Sequence, residues 1–307
     1  MAGSLPTAPE SDAFVFTPDS PVLPVTGDVT YYGKYSLVGL EVEHSLTLGT
    51  DIAHNVYVSA LEGITVTVNG VVYDLGALTA TDGVYKLVYA AGNPMDAAKS
   101  FTVVIRREVD GETYTVTYTL TLASYIEDIL EGDFDAEVKT LVADLAAYVL
   151  ESFVTYNMEG YEGYDSLAEL SELVAAYATE TVVIPESSAD MSAITEALRS
   201  AQVYLDFGTK LRFNITAGFT GTVYVTVGGA TVEYTASDGL LGENAYIELD
   251  IPAYMLTETV TVTVGESAGV YDLAAYVKAL QGTQYENLVS ALYAYAASAK
   301  LCQESAE

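Results

Sequence analysis

The chain of 307 residues has one cysteine, no tryptophan, two histidines and only 11 lysines and arginines. Each shortage excludes a class of chemistry. A single thiol, Cys302, can form no intrachain disulfide and no cysteine-based metal site. His44 and His54 carry no second pair at metal-ligand spacing, so both are expected as strand-surface side chains, not zinc ligands. Against the few basic residues stand 43 acidic ones, for a formal charge of −32. Such a field repels nucleic acid and anionic membrane surfaces. It leaves cations, cationic partners or neutral surfaces such as glycans. No apolar run is long enough to span a bilayer, so membrane insertion is not expected. No G-x-S-x-G elbow, P-loop or G-x-G-x-x-G turn is present. The first residues, MAGSLPTAPESDAF, lack a basic and an apolar leader region. That leaves a cytosolic chain or one whose signal peptide has been removed, and the second is the expectation here.

What is present is a repeat. Hydrophobic residues make up 50% of the chain, enough for packed cores and against disorder. Leu46 to Gly70 (LTLGTDIAHNVYVSALEGITVTVNG) aligns without a gap on Leu205 to Gly229 (LDFGTKLRFNITAGFTGTVYVTVGG). Identical pairs include Gly49/Gly208, Thr50/Thr209, Asn55/Asn214 and Val66/Val225. The echo continues with LASYI at Leu122 against LAAYV at Leu273, and LVADLAAY at Leu141 against LVSALYAY at Leu288. A β-rich stretch closed by a helical hairpin therefore occurs twice. The titratable positions do not repeat: Asp51 aligns with Lys210, Glu62 with Gly221 and His54 with Phe213.

Alternation at Ile64 to Val68, then Asn69-Gly70 and Val71 to Tyr73, predicts a hairpin, and Gly228-Gly229 stands at the same place in the second copy. A second hairpin runs Phe101 to Val109, Asp110-Gly111, Thr113 to Leu120, with Tyr114, Val116, Tyr118 and Leu120 on one face. The second copy is expected to keep one strand there, Thr259 to Val264. A short helix should end at Glu131, with Gly132 in the left-handed C′ conformation. The next helix carries the stripe Val138, Leu141, Val142, Leu145, Tyr148, Val149, Phe153, Tyr156. Its counterpart opens at Thr283-x-x-Glu286, a capping-box pattern, and carries Leu288, Leu292, Tyr295, Ala299 and Cys302. An extra helix follows Ser166, with Leu167, Leu170, Leu173, Val174 and Tyr177 as its face.

The expected fold class is α+β: two antiparallel β-sandwich modules, Ig-like or jelly-roll-like, each followed by a helical hairpin. The expected segments are an extended N-terminal stretch (1–28), the first module (29–158), a connector with one helix (159–198) and the second module (199–307).

The motif G-T-x-[LI]-x-x-N at Gly49-Thr50 and Gly208-Thr209 recurs with Leu122/Tyr125 and Leu273/Tyr276, and with Leu145/Tyr148 and Leu292/Tyr295. In these features the chain resembles modules of secreted cell-surface proteins of clostridia-type gut bacteria, over most of residues 37–160 and 200–303. The resemblance implies an extracellular or cell-surface location, the architecture of multidomain adhesins or wall-associated proteins, and no catalytic residues to carry over.

Three groups of candidate site residues remain. Asp133, Asp135 and Glu137 cluster between two helices and are candidate ligands for calcium, although their order is not that of an EF-hand; no other cofactor is implied. Tyr156, Tyr161 and Tyr164 are candidates for a platform that stacks on a sugar ring. Phe14, Val15, Phe16, Val22 and Leu23 give the N-terminal stretch apolar patches suited to adding a strand to a neighbour's sheet. The expected function is a non-catalytic structural or adhesion module whose partner is a protein or glycan at the cell surface, another copy of the chain included. The alternatives are a tyrosine-platform carbohydrate-binding protein and a self-assembling filament or tube subunit.

Overall fold

The computed structural model describes residues 14–18, 33–49, 52–91, 94–156, 167–177, 182–204, 209–236 and 246–306. In chain order, the first elements are β1 (Phe14–Pro18), β2 (Gly33–Leu37), β3 (Val42–Leu48), β4 (Ile52–Ser59), β5 (Ile64–Val68), β6 (Val71–Tyr73) and β7 (Val84–Ala91). Then come α1 (Pro94–Ala97), β8 (Phe101–Val109), β9 (Glu112–Leu120), α2 (Leu122–Glu131), α3 (Ala136–Tyr156) and α4 (Leu167–Tyr177). The remainder is β10 (Leu198–Tyr204), β11 (Lys210–Ile215), β12 (Gly221–Val227), β13 (Ala230–Ala236), β14 (Tyr246–Asp250), β15 (Val260–Val264), β16 (Ser267–Tyr271), α5 (Leu273–Leu280) and α6 (Glu286–Ala306).

The protein is α+β, and every strand pair with a described register is antiparallel. Two sheets have three strands, ordered β3-β4-β7 and β10-β11-β14. Two have four, ordered β6-β5-β8-β9 and β13-β12-β15-β16. The second order in each pair repeats the first, strand for strand. The turns explain why the hairpins close where they do. Asn69-Gly70 and Asp110-Gly111 both sit at positive φ, as a two-residue type I′ turn requires, and Gly228-Gly229 does the same.

The chain forms two compact units. The first comprises Met1–Ser45, Asn55–Tyr89 and Phe101–Leu120. Its core sets Val56, Val58 and Leu87 against Val66, Val68, Phe101, Val103 and Ile105. Strand β9 alternates half-buried Tyr114, Val116, Tyr118 and Leu120 with exposed threonines, as expected.

The second unit comprises Leu46–His54, Ala90–Ser100 and Thr121–Glu307. Leu211, Phe213 and Ile215 share its core with Val223, Val225, Val260 and Val262, and Phe213 meets Tyr271 edge-on at 5.9 Å between centroids. The Leu46–His54 segment joins this unit where the Gly49 carbonyl accepts the Ala253 N–H at 3.2 Å. Strand β16 departs from expectation. SAGVY has too little alternation to announce a strand, yet it pairs with β15 throughout, from Val260↔Tyr271 to Val264↔Ser267.

Helix α2 starts at a capping box, Thr121 taking the Ser124 N–H and the Ser124 hydroxyl taking the Thr121 N–H. Gly132 at its end is not left-handed; its φ is −73°. A side chain there would press against the Asp128 carbonyl and the Phe134 ring, each 2.7 Å from the Cβ position, so the glycine allows close approach instead. The expected Thr283 box is also displaced. Helix α6 begins at Glu286, whose carboxylate accepts the Gly282 N–H at 2.9 Å, while the Thr283 hydroxyl accepts the Tyr285 N–H.

Helix α3 is buried on more than its expected stripe. Ala143, Asp144, Ala146 and Ser152 are buried as well, because α1, α2, α4 and α6 all pack on it. Its main partner is α6. The octets LVADLAAY and LVSALYAY lie in these two helices, and their last residues, Tyr148 and Tyr295, stack on each other with centroids 5.6 Å apart and planes at 11°. Both rings are fully buried, worth roughly 1.5–3 kcal/mol each in apolar burial and about 1 kcal/mol more as a pair. No protein group among the described residues hydrogen-bonds the Tyr148 hydroxyl. In α4 only Leu170 is fully buried, and Tyr177 is largely exposed.

The stretch leading into β10 is fastened to the start of α5. Asp272 caps α5 by accepting the Ala275 N–H, and also accepts the Ser188 N–H and the hydroxyls of Ser187 and Ser188. Burial alone would raise the Asp272 carboxyl, but these donors outweigh it and hold it below its ordinary value.

Two stability predictions follow from this packing. Tyr148→Ala should cost about 3–5 kcal/mol in urea unfolding, whereas Tyr148→Phe, which removes only an unbonded hydroxyl, should change stability by less than about 1 kcal/mol. Asp272→Ala should cost roughly 2–3 kcal/mol at neutral pH. Because the folded carboxyl is lowered, this contribution is present above the unfolded value and lost as pH falls through the folded one. The gap between wild type and variant should therefore close in strong acid.

Candidate functional site

Of the residues singled out from the sequence, the structure describes the three acidic ones, Tyr156 and the first three apolar ones. Asp133 and Asp135 are exposed in the link between α2 and α3, and Glu137 is exposed in the first turn of α3. Among the described residues, no three His, Cys, Asp or Glu side chains gather in a way that could hold a metal ion. Tyr156 ends α3 at 47% exposure. Its phenol is held above the ordinary value by burial first and by neighbouring Tyr285 second. Tyr161 and Tyr164 lie outside the described residues, as do Val22 and Leu23. Phe14, Val15 and Phe16 lie in β1, which is already paired within its own chain, Phe14 opposite Leu37 and Phe16 opposite Tyr35. A strand exchange would have to open that pairing.

The histidines correct the expectation of strand-surface side chains. His54 is fully buried, with Nε2 3.2 Å from the Ala97 carbonyl oxygen. His44 lies edge-on to Phe101 at 5.6 Å, and burial lowers its pKa to about 4. It is neutral at physiological pH and serves packing. Cys302 is half-buried against the core of the second unit.

A different group stands out on the outer face of the β10-β11-β14 sheet. Period-two alternation buries Leu211, Phe213 and Ile215 and turns Lys210, Arg212 and Asn214 to the other side. Antiparallel register sets Lys210 opposite Asp250, Arg212 opposite Glu248, and Asn214 opposite Tyr246. On the other flank, Asn214 faces Ser200 and Arg212 faces Gln202.

These neighbours interlock. Arg212 donates from Nε and Nη2 to Glu248 Oε2 at 3.1 and 2.6 Å, and Lys210 Nζ donates to Oε1 at 3.0 Å. Lys210 Nζ also lies 3.6 Å from Asp250 Oδ1. The Arg212 guanidinium carbon sits 3.9 Å from the centre of the Tyr246 ring, a cation–π stack that leaves the tyrosine 44% exposed. The Asn214 amide donates to Ser200 Oγ at 2.9 Å.

The first unit carries part of this framework on its own sheet. Asn55, aligned with Asn214, donates its amide to Ser45 Oγ at 3.2 Å, and Lys86 Nζ lies 5.8 Å from the Tyr57 ring centre. There, however, the asparagine is only 2% exposed.

Two cations and two carboxylates balance on the face. Burial pushes Glu248 upward, but Arg212 and then Lys210 overcome this and hold it below the ordinary glutamate value. Lys210 is raised, chiefly by its hydrogen bond to Glu248. Near neutral pH Glu248 is therefore an acceptor, and the face offers planar donors and acceptors beside one half-exposed ring. The signal for it is the alternating Lys210-x-Arg212-x-Asn214 and Tyr246-x-Glu248-x-Asp250. Only the strand pairing, which no local pattern reveals, shows that these two runs adjoin.

No protein-family model, no curated protein and no solved structure matches the chain.

In a carbon-detected NMR titration, the Glu248 carboxyl should titrate below the ordinary glutamate range, and Arg212→Ala should move it back up. A Glu248 value at or above the ordinary one would contradict the ion network.

Proposed function

We propose that the chain is a tandem duplication of a β-sandwich-plus-helical-hairpin module, and that it works as a non-catalytic structural or adhesion module of a bacterial cell-surface protein. The observation that carries this reading is the pairing of repeated strand order with unrepeated chemistry. The sheet order β3-β4-β7 recurs as β10-β11-β14, and β6-β5-β8-β9 recurs as β13-β12-β15-β16. The N-caps Thr121 and Asp272 stand at matching helix starts, and Leu145/Leu292 and Tyr148/Tyr295 are matching buried pairs. Titratable groups are among the positions at which the copies differ: Asp51 against Lys210, His54 against Phe213, Glu62 against Gly221. Selection that preserves packing while letting charges drift fits a spacer or presenting surface, because catalysis depends on a fixed constellation of reactive groups. The charge of −32 supports an environment without nucleic acid or anionic membrane partners.

Surface display is testable on the parent bacterium. Brief protease treatment of intact cells should release fragments of this chain into the medium, with a cytosolic marker retained. Fragments appearing only after lysis would overturn the reading.

A further inference from the structure

We infer that the outer face of the β10-β11-β14 sheet binds a neutral oligosaccharide, with the Tyr246 ring, backed by Arg212, as its stacking surface. This rests on the surface-module reading above and names the class of ligand it would present itself to.

Solvent-facing sheets usually carry mobile, independent side chains. Here Arg212 is fixed from two sides, by Glu248 along its edge and by the Tyr246 ring over its plane. Asn214 is fixed by Ser200. Side chains already held in one geometry lose little conformational entropy when a ligand arrives. Three strands at about 4.8 Å separation and five residues at about 3.4 Å rise give a flat patch of roughly 10 by 14 Å, room for a short sugar chain.

The chemistry selects the ligand. A protein interface of this size would be expected to have an apolar centre, and this centre is an ion network. A pyranose ring offers one apolar C–H face, which suits the exposed part of Tyr246, and adjacent hydroxyls that donate and accept together. Asn214 and Gln202 supply amide donors and acceptors, while Arg212 and Glu248, only 15% and 22% exposed and bonded to each other, hold the Tyr246 ring in place. Charge narrows the class further. The face sums to zero, with Lys210 and Arg212 against Glu248 and Asp250, and it belongs to a chain of net charge −32. Uronate-rich or sialylated chains are repelled by that field, whereas neutral ones are not. The matching face of the first unit is closed to this role, since its Asn55 is buried.

The test is a titration of the full chain, followed by amide NMR and calorimetry, with cello-, manno-, galacto- and N-acetylglucosamine oligomers at millimolar concentration and oligogalacturonate as the anionic probe. We expect at least one neutral series to bind with Kd of about 0.1–1 mM and to shift amides of β11 and β14. Tyr246→Ala and, separately, Arg212→Lys should each weaken binding about tenfold or more, at unchanged melting temperature, while Tyr57→Ala leaves it intact. Absence of shifts with every neutral series, shifts confined to other strands, tighter binding of oligogalacturonate, or full binding by Tyr246→Ala would each overturn the site. None of these results bears on protease release from intact cells, so failure here and failure of the surface reading can be told apart.

Discussion

The packing of α3 on α6 is the contact on which the second unit depends. Helix α3 has almost no solvent face through its middle, so it cannot be stable alone, and α1, α2 and α4 all use it as their floor. What fixes its register against α6 is a pair of large rings, Tyr148 and Tyr295, that reach the same depth from equivalent positions. Ala146 and Ala296, on the same two helices, are buried as well. Both helices lie on one chain, so their interface forms at high effective concentration.

The same alternation that builds the cores also builds the outer faces. In β11 the even-and-odd pattern gives Leu211, Phe213 and Ile215 to the interior and leaves Lys210, Arg212 and Asn214 in one row outside. Antiparallel pairing with β14 then supplies an opposite charge or a ring beside each of them. Of the basic residues in this acidic chain, Lys210 and Arg212 are neutralised on the spot by Glu248 and Asp250, so the patch is locally neutral within a strongly negative chain.

Local chemistry was legible in the sequence wherever a short pattern determines the outcome. Asn69-Gly70 and Asp110-Gly111 demand positive φ and obtain it, and the threonine–aromatic alternation of β9 forms the strand it announces. The stripes of α3 and α6 were readable as well, since helical spacing is a property of neighbours. Legibility failed where residue type and spacing do not announce the deciding contact, whether its partner is near in sequence or far. Gly132 looks like a left-handed cap, and only the approach of Asp128 and Phe134 reveals its other role. His54 reads as a surface histidine until the Ala97 carbonyl appears beside it. β16 owes its existence to β15 and hardly to its own propensity. The Arg212–Glu248–Tyr246 group was invisible for the same reason, because its members come from strands separated by two others and their loops.

The order of α3 and α6 along the chain has a bearing on biogenesis. The ribosome delivers α3 before the helix that must cover it, so a nascent chain presents Tyr148, Leu145 and Val149 to the surroundings until α6 has been made. The first unit, whose segments all precede Thr121, faces no such wait. A chain that leaves this core open until α6 is made is exposed to aggregation for the same interval.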